Sequence, residues 1–374
     1  MAQGASETEF SLDTAATLAA GSGEAAAIRG RSPWYLAWRR LRRNYVAFAC
    51  LAVFILILLV CFPLAGLFAK DVAHTSQNTN HILDVVKVHG KPTPVVTKGG
   101  YVNKSTGKPC AVSAPECGFL SAIPIGPTWL AGGGRFVLGG DANGRDVAVR
   151  LLYGGRNSLI VGIGSSAICV VAAVILALLA GYFGGWIDFV ITRFFDLFYA
   201  FPVVLLGIAL GSALAINGFH HFGINLQSGS LWIPTLVISY VLIPYVGRPL
   251  RGQVLSLREK EFIEAAIAGG AGPLRIMFTE LFPNVISSVL VFFTLIIANN
   301  IVLEAALSFL GAGVQDPTPS WGKLIADGQD LIVTRPTLAL APGIAIVLTV
   351  LSLNVFGDGL RDALDPRAKV KIEH

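Results

Sequence analysis

Arg258–Asn284 reads REKEFIEAAIAGGAGPLRIMFTELFPN, the longest polar, non-repetitive segment between two strongly apolar runs in the second half of the chain. From Ser256 to Ala268, good helix formers place Leu257, Phe262, Ile263 and Ile267 on one apolar face. Gly269 and Gly270 end that helix, and Pro273 suits the first turn of a second. The second helix is expected to stop before Pro283, because a proline disfavours the helical region for the residue ahead of it. The pattern predicts helix, glycine turn and helix, held on one side of a membrane by the spans around it. Such a knuckle fits a groove. Ala265 and Ala266 admit close approach, and Glu264 offers a carboxylate to a basic group or a helix N-terminus. A solvated amphipathic loop is the plain alternative for this composition taken alone.

Composition sets the class. Of 374 residues, 54% are hydrophobic and 14% charged, against roughly 25% charged in soluble domains. Several runs reach the length of about 20 apolar residues that crosses a bilayer. The chain reads as an all-α polytopic membrane protein. Its net charge of +5 does not point to nucleic acid, since the basic residues cluster at span ends. Cys50, Cys61 and Cys169 lie in apolar runs and read as packing residues, whereas Cys110 and Cys117 share a polar loop and could form a disulfide if that loop is outside. The sequence has no Cys/His metal spacing, no HExxH and no GxxxxGK[ST] phosphate loop. The energy source is therefore another subunit or an ion gradient.

Residues 1–31 are poor in large apolar groups and are expected to form a disordered tail. Ser32–Asn44 brings Trp34, Tyr35 and Trp38 to the interface, with Arg39, Arg40, Arg42 and Arg43 holding that end in the cytoplasm. Tyr45 to Phe68 is the first span. The segment 69–135 reads as a small extracytoplasmic insert with β structure, an irregular extended loop being the alternative. Its His74, His81 and His89, like the His220–His221 pair, are expected to be solvated rather than to bind metal. In Leu138–Leu159, Val147 with Leu151 and Asp146 with Arg150 give apolar and charged stripes, which suit a helix lying at the interface. Further spans are read at Ser158–Phe183, Ala200–Ile216, Leu231–Val246, Val285–Leu310 and Leu338–Phe356. Trp186–Pro202 forms a cytoplasmic elbow with a local Arg193–Asp196 ion pair. Six spans put both termini on one side. The distribution of Arg and Lys favours the cytoplasm for that side, although Arg145, Arg150 and Arg156 near the second span run counter to it.

Four stretches share one resemblance. Glu264-Ala265-Ala266, with Gly270 after three intervening residues and Pro283 beyond it, resembles the EAA loop of ATP-binding-cassette (ABC) importer permeases; Glu280, Leu281 and Phe282 stand where the family usually has aliphatic residues. Gly139–Gly162, GGDANGRDVAVRLLYGGRNSLIVG, is similar to the G-x-D-x-x-G-R-D signature that precedes the second span in dipeptide and oligopeptide permeases. Glu304–Ser320, EAALSFLGAGVQDPTPS, and Phe356–Arg367, FGDGLRDALDPR, look like the C-type member of that permease pair. The resemblance spans roughly Trp34–Arg367, and the insert 69–135 is larger than the family pattern leads one to expect.

The resemblance implies a type I ABC importer fold in a bacterial cytoplasmic membrane: a permease core over 136–367, a coupling loop over 256–283 and a cytoplasmic tail at 368–374. It implies a non-catalytic subunit without a cofactor of its own, ATP and Mg being handled by two partner ATPase subunits or domains. Further implied partners are a second homologous permease and an extracytoplasmic peptide-binding protein. Glu264, Ala265, Ala266, Gly270 and Arg275 become the candidates for ATPase contact. Asn299, Asn300 and Glu304, polar within the fifth span, either line the translocation path or hydrogen-bond between helices. Gly144, Arg145 and Asp146 form an outer gate or cap a helix. A nickel-chelate permease, an ion-driven secondary carrier and a membrane enzyme are the alternatives; no repeat and no nucleophile–base constellation in the sequence favours the last two.

Overall fold

The computed structural model describes residues 33–103, 117–129, 135–221 and 224–364. The expected tails at 1–31 and 368–374 lie outside these residues, as does Cys110, and with it the expected Cys110–Cys117 disulfide.

The apolar runs become long helices. After α1 (Pro33–Arg43) come α2 (Tyr45–Val72), α3 (Val147–Phe183), α4 (Gly185–Tyr199), α5 (Val203–Asn217) and α6 (Trp232–Arg258). They are followed by α7 (Glu261–Ala268), α8 (Pro273–Phe309), α9 (Trp321–Gly328) and α10 (Thr337–Leu364). Five of these, α2, α3, α6, α8 and α10, are long and apolar enough to cross a membrane alone. The sixth crossing differs from expectation. At 15 residues α5 spans only about 22 Å, short of a hydrocarbon core of about 30 Å; it passes as a span only together with α4, to which it is bent by 89°.

At the centre, α3 packs on α6 and α8. Val161, Cys169, Ala173, Ala177 and Ala180 of α3 meet Ile238, Val246, Leu250 and Val254 of α6 and Ile296 and Leu303 of α8. Small residues let the backbones close up, as membrane helices without a hydrophobic drive between them require. A Cβ on Gly162 would fall 2.5 Å from Ile301 Cγ1, and one on Gly181 2.5 Å from Val254 Cγ1. A second cluster joins α2 (Cys61), α3 (Leu159), α8 (Ile297, Ile301), α9 (Trp321) and α10 (Leu353). Outside these seams Val53, Ile55, Leu56 and Leu59 of α2, and Ile344, Val347, Leu348 and Leu351 of α10, are exposed, as lipid-facing positions would be.

Two local expectations are corrected. Val147–Leu159 is not a separate interfacial helix: it is the N-terminal end of the 37-residue α3, whose N-cap is Asp146. Nor does the helix after Pro273 end before Pro283. The chain runs unbroken to Phe309, with a π-helical turn over Ile276–Leu281 directly ahead of the proline. That wider turn replaces the i→i−4 ladder where the ring and missing N–H of Pro283 would break it.

The insert holds β structure. β1 (Val85–Val88) and β2 (Lys91–Pro94) form a hairpin closed by His89 (φ 51°) and Gly90 (φ 78°), the paired positive φ of a two-residue primed turn. β3 (Val96–Asn103) pairs antiparallel with β4 (Cys117–Pro124). Val95, Ile125 and Phe136 make a small core beneath them. His81 is not solvated. It is buried, with Nδ1 2.8 Å from Asp84 Oδ2 and Nε2 2.6 Å from Thr75 Oγ1, and it packs edge-on against Phe136. The loop after α5 carries a further hairpin, β5 (Phe219–His221) with β6 (Ile224–Leu226). Among the described residues no His/Cys/Asp/Glu group could hold a metal ion.

Candidate functional site: a rigid knuckle and a distant charge network

The knuckle begins where α6 ends at Arg258. Lys260 caps α7 with extended backbone, and Glu261 and Glu264 fill the first turn, where carboxylates favour the positive end of the helix. The exit is a complete Schellman motif: Ala271 N donates to Ala266 O at 3.0 Å, Gly270 N donates to Ile267 O at 2.9 Å, and Gly270 adopts φ 80°. Pro273 then opens α8.

Anchoring is on one side only. Ile263, Ile276, Met277 and Leu281 are buried in the core shared with α3 and α6. Phe262 and Ile267, expected on the same buried face, are instead 39% and 55% exposed, and Leu274 and Phe278 are 68% and 61% exposed. The reason is length: an eight-residue helix has room for one deep anchor, and Ile263 takes it. Glu264, Ala265, Gly270 and Arg275 are exposed and Ala266 is half-buried. Glu264 enters no ion pair among the described residues. Beside it lies a cleft of about 740 Å³ lined by Tyr182, Phe183, Arg258, Ile263, Glu264 and Pro273. Apolar side chains, a carboxylate and a guanidinium thus line a cleft around a firmly folded backbone.

Behind the knuckle, α4 is riveted to α6. Asp188 accepts from both Nε and Nη2 of Arg251. The expected Arg193–Asp196 pair is present at 3.3 Å, but Asp196 has a closer partner in Arg248 at 2.6 Å, whose guanidinium sits 4.0 Å from the Tyr199 ring centroid. Sequence reasoning missed Arg248 and Arg251. The available signal was the three-residue spacing of these two arginines on one helix face.

On the far side of the bundle, Asp146 is an N-cap: its carboxylate accepts from Ala148 N (2.9 Å), Val149 N (3.2 Å) and, across the loop, Phe136 N (2.8 Å). Arg150 does not pair with it along a stripe. Wholly buried, Arg150 donates through Nη1 to Gln77 O and Pro317 O, and lies 3.6 Å from Asp141 and 4.0 Å from Asp327. Arg145 Nε is 2.6 Å from Asp141 Oδ2, and Lys323 bridges Asp316 (3.1 Å) and Asp327 (2.8 Å). Burial works against the Asp316 charge, yet the bond from Lys323 and the nearby Arg145 and Arg150 hold its carboxyl below the usual range. Burial likewise works against the Lys323 charge, but Asp327 and Asp316 push its amine upward. Gly144 (φ 69°) lies against backbone, where a Cβ would meet Ile82 N at 2.7 Å. The network ties the insert, the head of α3 and α9 into one block.

The polar residues of α8 divide. Asn299 is exposed, whereas Asn300 and Glu304 are wholly enclosed. The Asn300 amide hydrogen-bonds Ser165 Oγ at 2.8 Å and Ser166 Oγ at 2.9 Å on α3. Ser308 Oγ donates to Glu304 Oε1 at 2.6 Å and accepts from Val314 N at 2.9 Å. Glu304 thus lies far from solvent, at the joint between α8 and the loop that follows.

Comparison with known proteins places this architecture. The family model described as "Binding-protein-dependent transport system inner membrane component" matches residues 173–370, and "N-terminal TM domain of oligopeptide transport permease C" matches residues 32–83. The dipeptide transport system permease protein DppC of Alkalihalophilus pseudofirmus is 43% identical over 231 residues, covering 62% of this chain and 72% of that protein. The di/tripeptide transport system permease protein DppC of Pseudomonas aeruginosa is 38% identical, covering 70% and 84%. The glutathione transport system permease protein GsiD of Escherichia coli O157:H7 is 34% identical over 341 residues, covering 91% and 92%. Among solved structures, a chain of the inward-facing MetNI methionine ABC transporter superposes with a TM-score of 0.47 at 18% identity, covering 58% of this chain and 96% of that one. With helices that cross the membrane several times and a family model matched over more than half its length, the chain belongs to the binding-protein-dependent transport family of multi-pass inner-membrane components, as a permease of the peptide ABC importer kind.

Proposed function

We propose that this chain is one of two permease subunits of an ATP-driven importer of short peptides, with α7 and its Schellman turn as the contact for separate ATPase subunits. The observation that carries this reading is the one-sided anchoring of the knuckle: Ile263 and Ile276 are buried while Glu264, Ala265, Ile267 and Leu274 face outward. A firm short helix transmits displacement, which a floppy loop would absorb. ATP and Mg act on the ATPases. There, closure draws the two coupling loops together, and α6 and α8, continuous with either end of this loop, carry the movement into the bundle. In this reading both termini are cytoplasmic, and the outer charge network faces a peptide-delivering binding protein. The peptide cargo follows the relatives, which are named for dipeptides, di- and tripeptides and glutathione. Of the three polar candidates on α8, Asn299 has a surface to offer a translocation path, while Asn300 joins α8 to α3 and Glu304 is held by Ser308.

Affinity purification from native membranes in mild detergent, with mass spectrometry of the retained proteins, tests the assembly. Recovery of a second permease, ATPases and a binding protein is expected. A homo-oligomer free of any ATPase, under conditions that keep known complexes together, would favour an ion-driven carrier.

A further inference from the structure

α1 stands apart from the transport machinery, and its two faces differ. Leu41 packs with Phe356, Leu360 and Ala363 at the end of α10. The other face carries Tyr35, Trp38, Arg39 and Arg42, spaced as neighbours on one helical stripe, and all four are exposed, as is Arg43. The helix contains no acidic residue in its sequence PWYLAWRRLRR. Among the described residues, Arg39, Arg42 and Arg43 enter no ion pair, and the Arg42 guanidinium rests 5.9 Å from the Trp38 ring centroid. Only Asn44 separates α1 from α2, capping it by accepting from Ala47 N at 3.1 Å. The basic stripe is therefore pinned at the level where the apolar span begins, with Tyr45 and Val46 exposed 83% and 65% immediately beside it.

Unpaired guanidiniums at the edge of a lipid-facing span, interleaved with aromatic rings that settle at headgroup depth, match one chemistry. We propose that α1 is a binding site for anionic phospholipid headgroups, the arginines pairing with phosphates while Trp38 and Tyr35 settle at the same headgroup level. Each arginine near a negatively charged leaflet adds attraction that salt screens. By fastening the end of α10 and the start of α2 to the leaflet, the site gives the bundle a fixed edge. The proposal concerns lipid alone and does not depend on the cargo or on the ATPase contact.

Native mass spectrometry of the intact transporter, titrated with phosphatidylglycerol and with phosphatidylcholine of matched acyl chains, tests it. The wild type is expected to retain phosphatidylglycerol preferentially, less so as ionic strength rises. The triple variant Arg39→Gln/Arg42→Gln/Arg43→Gln is expected to lose roughly tenfold or more of that retention, with phosphatidylcholine unchanged. Arg39→Lys/Arg42→Lys/Arg43→Lys should keep it. Equal retention of the two lipids by the wild type, retention indifferent to salt, or an unaffected glutamine variant would overturn the proposal. Displacement by inorganic phosphate would also overturn it, by showing a site for free anions instead. Should the glutamine variant fail to insert, the wild-type lipid and salt comparisons still decide.

Discussion

Gly270 shows how a single residue sets the geometry of the knuckle. Its φ of 80° is a conformation that costs other L-residues about 1–2 kcal/mol, and a Cβ there would meet nothing within 4 Å. Gly270→Ala should therefore act through backbone strain alone, loosening the C-terminus of α7. Amides of α7 are expected to exchange several-fold faster with solvent, by about a factor of five to ten, with those of the α3 core unchanged; hydrogen-exchange mass spectrometry reads both. The glycine pair was legible in the sequence as a helix stop, because an αL cap is a local demand. The charge network around Lys323 was not legible, since Asp141, Arg150, Asp316 and Asp327 come together only through the fold. It carries a pH signature. Asp316 has a depressed carboxyl, so its contribution is full above the unfolded value of about 3.9 and is lost as pH falls through the folded one. Lys323 has a raised amine, so its contribution is full below about 10.4 and is lost as pH rises through the folded value. The melting temperature of the purified complex should accordingly be level through neutral pH. Lys323→Gln should lower that plateau and flatten its acid limb; an unchanged profile would remove the network from the stability account.

Among elements, α4 and α6 form the pair whose relation was hardest to foresee. Apolar periodicity identifies both helices, but not the 89° bend between α4 and α5 or the Asp188–Arg251 and Asp196–Arg248 pairs that hold α4 to α6. Pro244 and Pro249 interrupt the ladder of α6 near these arginines, so the ion pairs brace a helix that its prolines weaken. Asp188→Arg should separate α4 from α6 and lower transport per ATP hydrolysed, and the swap Asp188→Arg/Arg251→Asp should restore much of it. Failure of the swap to rescue, in a variant that still assembles, would mean that local packing rather than the pair joins the helices. The π-turn ahead of Pro283 teaches the same lesson. The rule against a helical residue before proline is sound for the residue pair, yet a widened turn let the element continue.

For the whole molecule, hydrophobic run length and the glycine-rich loop were enough to read a multi-span bundle with an exposed knuckle. Which face of that knuckle is buried was not readable, because Phe262 and Ile267 are as apolar as Ile263 and only the depth of the core distinguishes them. The same holds for α8, where Asn299 and Asn300 are adjacent in sequence but only the second is enclosed by α3. In the proposed function, Glu264 and its neighbours convert ATPase movement into peptide transport. The most direct test is labelled-dipeptide uptake, measured together with ATP hydrolysis, in proteoliposomes of the complete complex carrying Glu264→Lys. Uptake should fall at least tenfold, with ATPase subunits released or hydrolysing ATP without transport, while the spans stay inserted. Uptake equal to wild type at an unchanged ratio to hydrolysis would contradict the claim.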